Sequence, residues 1–257
     1  MSTAELTLRQ VRYTNKAFWR NPASAFFTFA FPIMFLVIFT TLFGNRTVHP
    51  LPGVSVQQST FYVAAMSAFA VISACYTNIA IQTAFNRDAG ILKRVRGTPL
   101  PSWSYLTGRV LHSVVVAIIL VSINVVYGVL LYHANVPTRT FPAFAVTLIV
   151  GAASFAALGL AITTIIPNAD ASPAIVNASI LPILFLSDIF IPVDNAPAWV
   201  NVVGKIFPVR HFADAMQAAF FSSTGSGFRW VDLGVIAAWG IFGLLIAVRF
   251  FSWEPRR

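Results

Sequence analysis

Three observations predict an all-α integral membrane protein with six transmembrane helices. Hydrophobic residues make up 57% of the 257-residue chain and the mean hydropathy is +0.76, more apolar surface than one soluble core of this size can hide. Apolar runs of roughly 20 residues, the length that crosses a bilayer, recur from end to end and leave no polar segment long enough for a separate globular unit. The net charge of +9 is split among tails and loops. A nucleic-acid surface would gather cations into one stripe with interleaved aromatics, so membrane topology explains the charge and no nucleic-acid partner is expected.

Each element has its own signal. Glu5, Arg9, Arg12, Lys16 and Arg20 step by four, three, four and four, which puts them on one stripe of a helix while Leu8, Val11 and Phe18 fall elsewhere. Residues 1–21 are read as an amphipathic helix on the membrane surface, in contact with lipid. Asn21-Pro22 then pairs a capping residue with a first-turn proline and opens a span over Ala23 to Phe43, kinked at Pro32. That run has no small-residue cleavage site behind it and reads as a retained span. Further spans are expected at Ser59 to Thr83, Val110 to Tyr132, Phe141 to Ile166, Pro173 to Ile191 and Val231 to Phe251. Residues 192–230 hold two short amphipathic helices, Pro197 to Ile206 and Val209 to Phe221, and a Ser222 to Gly227 turn. No internal repeat stands out.

Six spans return both termini to one side. Twelve Lys and Arg then fall on the face with the tails and the Arg87 loop, against five on the other, so both termini and that loop are expected in the cytoplasm and residues 192–230 outside. The chain reads as a multi-pass protein of the cell membrane.

The loop of residues 84–108 is the one dense charged cluster between long apolar runs. Asn86 is suited to cap a short helix with Ile91, Leu92 and Val95 on one apolar side and Arg87, Lys93, Arg94 and Arg96 on its flanks, before Gly97-Thr98-Pro99 stops it. Lipid anchoring alone would explain the charges but not an ordered helix with an apolar face.

The segment Arg87-Asp88-x-Gly90-x-Leu92-Lys93-Arg94-x-Arg96-Gly97-Thr98-Pro99-Leu100-Pro101 resembles the cytoplasmic segment between the second and third spans of ABC transporter permeases of the type-2 export class, especially the daunorubicin-resistance-like group. The likeness extends over residues 1–257, read as a single permease domain: a basic N-terminal helix ending Arg20-Asn21-Pro22, six spans and two short outer helices before the last. It implies that Arg87, Asp88, Gly90, Leu92, Lys93, Arg94 and Arg96 form a coupling helix docking into a separate cytoplasmic ATPase subunit, and that a second permease copy, identical or similar, completes the pathway. It also implies that ATP and Mg are held by the ATPase. Many members carry a glutamate at the first acidic position of the motif. Here Asn86-Arg87-Asp88 leaves Asp88 as the one carboxylate.

Thr60, Ser67, Ala74, Asn78 and Gln82 step by seven, seven, four and four, a small-to-polar stripe on an otherwise apolar helix. Amides facing lipid are costly, so the stripe faces protein or a pathway, and both readings stand. Ser67, Asn78 and Gln82, with Asn177 on the fifth span, are the candidate substrate-path residues. Asp188, near the outer end, reads as solvated. Ala152, Ala156, Gly159 and Thr163 form a close-packing stripe, and Cys75, the one cysteine, a buried filler.

No nucleotide-binding loop is present: Gly204-Lys205-Ile206 lacks the leading glycine and the hydroxyl. No catalytic carboxylate pair, metal pattern or nucleophile elbow occurs in a credible setting, which argues against an enzyme, a bound cofactor or a metal. The expected function is export, driven by the ATPase, of a drug, hydrophobic natural product or lipid-like cargo. Polysaccharide or glycolipid export, an ion-coupled secondary transporter and a non-transporting scaffold are the alternatives.

Overall fold

Residues 3–43, 46–51, 54–190, 197–221 and 225–254 are described in a computed structural model of the chain. The polar N-terminal stretch forms α1 (Thr3–Trp19), with Arg9 and Glu5 paired one turn apart at 3.1 Å. The stripe of Arg9, Arg12 and Lys16 is exposed. Thr7 is buried, and Phe18 turns inward to meet His112 edge-on at 5.7 Å, while Leu8 and Trp19 remain exposed. At Asn21 the chain re-enters a helix, the Ala25 amide donating to the Asn21 carbonyl, and α2 (Pro22–Phe43) runs through Pro32.

Two short strands come next, β1 (Thr47–Leu51) and β2 (Val54–Gln57), antiparallel with Thr47 opposite Gln57 and Val48 opposite Val56. This hairpin is absent from the all-α reading. Strands of five and four residues give too short a period-two alternation to stand out beside the long apolar runs.

The second expected span is a rod in three parts: α3 (Gln58–Ile72), a π-helical turn (Ser73–Thr77) and α4 (Asn78–Asp88). It is the axis of the fold. Phe61 to Ile72 are all buried, enclosed by α2, by α6 (Ser102–Tyr132), by α7 (Phe141–Ile162) and by α10 (Pro208–Phe221). Gly159 of α7 sits against the π turn, where an added Cβ would stand 2.7 Å from the Tyr76 carbonyl and 2.8 Å from that of Cys75. Glycine is what permits that approach. Cys75 is buried there, its thiol 3.6 Å from the Ser113 carbonyl.

Past the rod, α5 (Ile91–Arg96) fills the bend before α6, which starts at Ser102, ahead of the expected Val110. After α7 come α8 (Ser172–Phe185), α9 (Ala198–Gly204), α10 and α11 (Trp230–Phe250), the last packed along α7. Among the described residues, five helices are long and apolar enough to cross a membrane: Ala25–Leu42, Gln58–Asp88, Trp103–Tyr132, Phe141–Ile162 and Trp230–Phe250. The expected fifth span is shorter than its apolar run. α8 has 14 residues and stops at Phe185, where the Leu186 amide folds back to the Ile183 carbonyl at 3.1 Å. Ile191, the expected end of that span, and Ser222 to Thr224 of the expected turn lie outside the described residues, as do Arg256 and Arg257.

The Asp188 reading is corrected. Its carboxylate is buried and pairs with Arg210 at 2.6 Å, and its backbone sits at φ 56, a left-handed conformation that Asp tolerates better than most residues. Gln217 donates to its carbonyl at 3.2 Å. Arg210 also reaches Asp214 at 3.4 Å, Arg229 pairs with Asp232, and His211 bridges Asp232 at 2.6 Å and the Lys205 carbonyl at 2.9 Å. Burial pushes the Asp214 carboxyl up against the downward pull of Arg210. This network ties α10 and α11 to the turns around α8 and α9.

Candidate functional site: a basic corner and an adjoining cavity

The corner between α4 and α5 is built on Gly90, whose φ of +70 reverses the chain in a conformation that side chains strain against. Its carbonyl receives the Arg94 amide at 3.2 Å, so the short helix starts from Gly90. Asn86 and Arg87 belong instead to α4, one turn earlier than the capping pattern at Asn86 implies. At the other end the Gly97 amide returns to Lys93 O, and the Thr98 hydroxyl bonds Val95 O at 2.6 Å.

Arg87 points inward. At 2% exposure it donates to three carbonyls beyond the end of α7, those of Thr163 (3.2 Å), Ile166 (2.7 Å) and Pro167 (3.2 Å), and its Nε lies 3.5 Å from Asp88. Carbonyls past a helix C-terminus have lost their intrahelical partners and sit at the negative end of the macrodipole, so a guanidinium fork satisfies both deficits. The Asp88 carboxylate in turn accepts the Ala169 amide at 2.5 Å. Arg87 and Asp88 together clasp the α7–α8 turn. Leu92 is fully buried beneath α5. Lys93, Arg94 and Arg96 are exposed, with Ile91 exposed beside them. The seven motif residues thus divide: Arg87, Asp88 and Leu92 hold the corner in place, Gly90 shapes it, and three cations face outward.

The polar stripe of the rod divides as well. Ser67 is buried between α3 and α6, donating to Val63 O at 2.7 Å and accepting from Asn124 Nδ2 at 3.0 Å, and Thr60 accepts the Asn135 amide at 3.1 Å. Asn78 and Gln82, past the π turn, instead line a cavity of about 440 Å³ between α2, the rod and α8, together with Asn177 and the rings of Phe27, Phe31 and Phe69. Three of the four candidate path residues therefore meet in one cavity, and Ser67 stands apart from it. Among the described residues, no side-chain hydrogen bond occupies Asn78, Gln82 or Asn177.

Two groups escape sequence reasoning. One is the outer network of Arg210, His211, Asp214, Arg229 and Asp232, signalled only by the spacings Arg210–Asp214 and Arg229–Asp232. The other is Arg109, which the charge count treats as topology, with His112; both lie within α6. Among the described residues no group of three or more His, Cys, Asp or Glu gathers to hold a metal.

Long apolar helices, an exposed basic corner clasped to the helix bundle, and an amide-lined cavity between helices define a multi-pass membrane protein of the transport class. Residues 6–221 match the ABC-2 type transporter family, and the chain belongs to it. The chain is 24% identical over 153 residues to the probable multidrug ABC transporter permease YbhR of Escherichia coli K12, a match covering 60% of this chain and 41% of that protein. It is 26% identical over 243 residues to the daunorubicin resistance ABC transporter permease protein DrrB1 of Streptomyces coeruleorubidus, covering 90% and 78% respectively. A putative transport permease of Bacillus subtilis, YvfS, is 19% identical over 228 residues, 89% of each chain.

Proposed function

We propose that this chain is the membrane-spanning subunit of an ATP-driven exporter, working as a pair of permease copies, or with a similar chain, on two cytoplasmic ATPase subunits that hold the ATP and Mg. In this reading α8 is the fifth of six spans and α11 the last, both termini and α5 are cytoplasmic, and the segment around α9 and α10 is outside. The observation that carries it is the clasp at Arg87 and Asp88. It fastens the end of α4, at the corner that carries α5, to the turn that starts α8, so a push on the exposed Lys93, Arg94 and Arg96 face is delivered to the helix that presents Asn177 to the cavity.

The mechanism rests on that linkage. Closure of the ATPases displaces α5, the buried clasp resists deformation, and α8 moves against α2 and the rod. The cavity between them changes shape, and with it the affinity for cargo. A ligand drives such a shift only by its differential affinity for the two shapes. The lining is mostly aromatic and aliphatic with three free amides, which favours an amphipathic drug, hydrophobic natural product or lipid-like cargo over a polysaccharide.

The test is reconstitution of the permease with its ATPase in vesicles and a panel of cargos. Hydrolysis stimulated by hydrophobic cations or natural products, with ATP-dependent flux, is the expected result. Flux that needs an ion gradient and no ATPase would establish a secondary transporter, and no flux with any cargo would leave a scaffold.

A further inference from the structure

Arg109 is buried at 7% exposure, and among the described residues no carboxylate forms an ion pair with it. Its single hydrogen bond runs from Nη1 to the Tyr105 hydroxyl at 3.1 Å, and its Nε has no partner. One turn further along α6, His112, also 7% exposed, has an unpartnered Nε2. Both residues line a cavity of about 310 Å³ bordered by α1, the rod, α5 and α6; its apolar wall includes Phe18 and Val116, and it shares Asn78 and Gln82 with the larger cavity. A cationic group taken out of water without a counter-anion is expensive. Arg87, at the same end of the bundle, shows the alternative: it is buried too, and three carbonyls and the Asp88 carboxylate accept from it.

We propose that this cavity binds an unshielded phosphate group, with the Arg109 guanidinium as anchor, the Tyr105 hydroxyl and His112 Nε2 as further polar contacts, and Phe18 and Val116 against the adjoining carbon chain. Guanidinium is suited to this by its planar fork of donors. Depth agrees with a lipid source: Arg109 lies seven residues into α6, about 10 Å along its axis. Trp103, in the first turn of α6, is exposed, as residues at a membrane interface are. The volume accommodates a headgroup and its first carbons, not two acyl chains. Because Ile91 and Val95 of α5 and Tyr13 of α1 also border it, an occupied site braces the surface helix against the corner. The site stands independently of the export reading, since it requires only binding.

The experiment uses the purified, delipidated full chain and native mass spectrometry, titrating phosphatidylglycerol, diacylglycerol and inorganic phosphate in turn. Wild type is expected to bind phosphatidylglycerol about tenfold or more tightly than Arg109→Gln, the size of one charge-assisted hydrogen bond, and to prefer it over diacylglycerol. Displacement of the lipid by millimolar inorganic phosphate assigns the site to a soluble phosphate; retention assigns it to the lipid headgroup. Val116→Phe narrows the cavity and keeps the charge, so it must weaken binding even where Arg109→Gln does not fold. Equal affinity of wild type and Val116→Phe for phosphatidylglycerol, or equal affinity of wild type for the two lipids with no binding of phosphate, overturns the proposal.

Discussion

On the inner face of the corner between α4 and α5, Arg87, Asp88 and Leu92 are withdrawn from solvent, and every acceptor that Arg87 reaches belongs to the α7–α8 turn or to Asp88. On the outer face, Lys93, Arg94 and Arg96 lie exposed and, among the described residues, form no ion pair. A run of cations in sequence therefore contains two kinds of residue. The buried cation holds architecture, because its loss strands three carbonyls as well as the charge partner. The exposed cations contribute little to folding and remain available to a partner.

The largest effect expected from this contrast is at Arg87. Arg87→Ala removes a buried, charge-assisted cluster and is expected to cost about 3–5 kcal/mol, seen as a lowered midpoint of chemical denaturation in detergent. A midpoint equal to that of wild type would mean that the clasp does not hold the corner.

The two halves of the rod repeat the contrast on a smaller scale. Asn124→Leu removes the amide donor that Ser67 Oγ and the Val63 carbonyl share, leaving the carbonyl only the Ser67 hydroxyl among side chains, and is expected to destabilise by about 1–2 kcal/mol. Asn78→Leu and Gln82→Leu remove no hydrogen bond and are expected to stay within roughly 0.5 kcal/mol of wild type while changing which cargos stimulate hydrolysis. If all three mutants lose stability alike with unchanged cargo preference, the amides beyond the π turn are packing groups like Ser67. Gly90→Ala, at φ +70, is expected to cost about 1 kcal/mol by the same denaturation assay. No loss there would show that the turn between α4 and α5 relaxes freely.

Much of this is legible in the sequence, and the misses have physical causes. α2 and α11 lie within a residue of the expected limits because apolar runs bounded by polar residues or by Pro22 leave little freedom. The stripe from Thr60 to Gln82 presumes an unbroken α-helix. The π turn at Ser73–Thr77 adds a residue to one turn, and each inserted residue rotates the rest of the helix by about 100°. That rotation parts Ser67, which meets Asn124, from Asn78 and Gln82, which meet the cavities. No residue pattern in Ser73-Ala74-Cys75-Tyr76-Thr77 announces it. Helical spacing groups Arg87 with its neighbours because it says nothing about which distant carbonyls lack donors; those belong to residues 76 to 80 positions away. Asp188 reads as solvated for the same reason, its partner Arg210 being remote in sequence.

The exposed face of α5 as the docking surface for an ATPase is the central claim, and Arg94→Glu combined with Arg96→Glu tests it most directly. Both side chains are exposed and carry none of the clasp, so insertion and denaturation midpoint should match wild type. The measurement is the amount of ATPase that co-purifies with the permease, with cargo-stimulated hydrolysis read on the same sample. The account predicts that retention falls about tenfold or more, as reversing charges at an interface costs several kcal/mol, and that stimulation disappears. A stably folded double mutant that keeps its full complement of ATPase and its cargo-stimulated hydrolysis would contradict it.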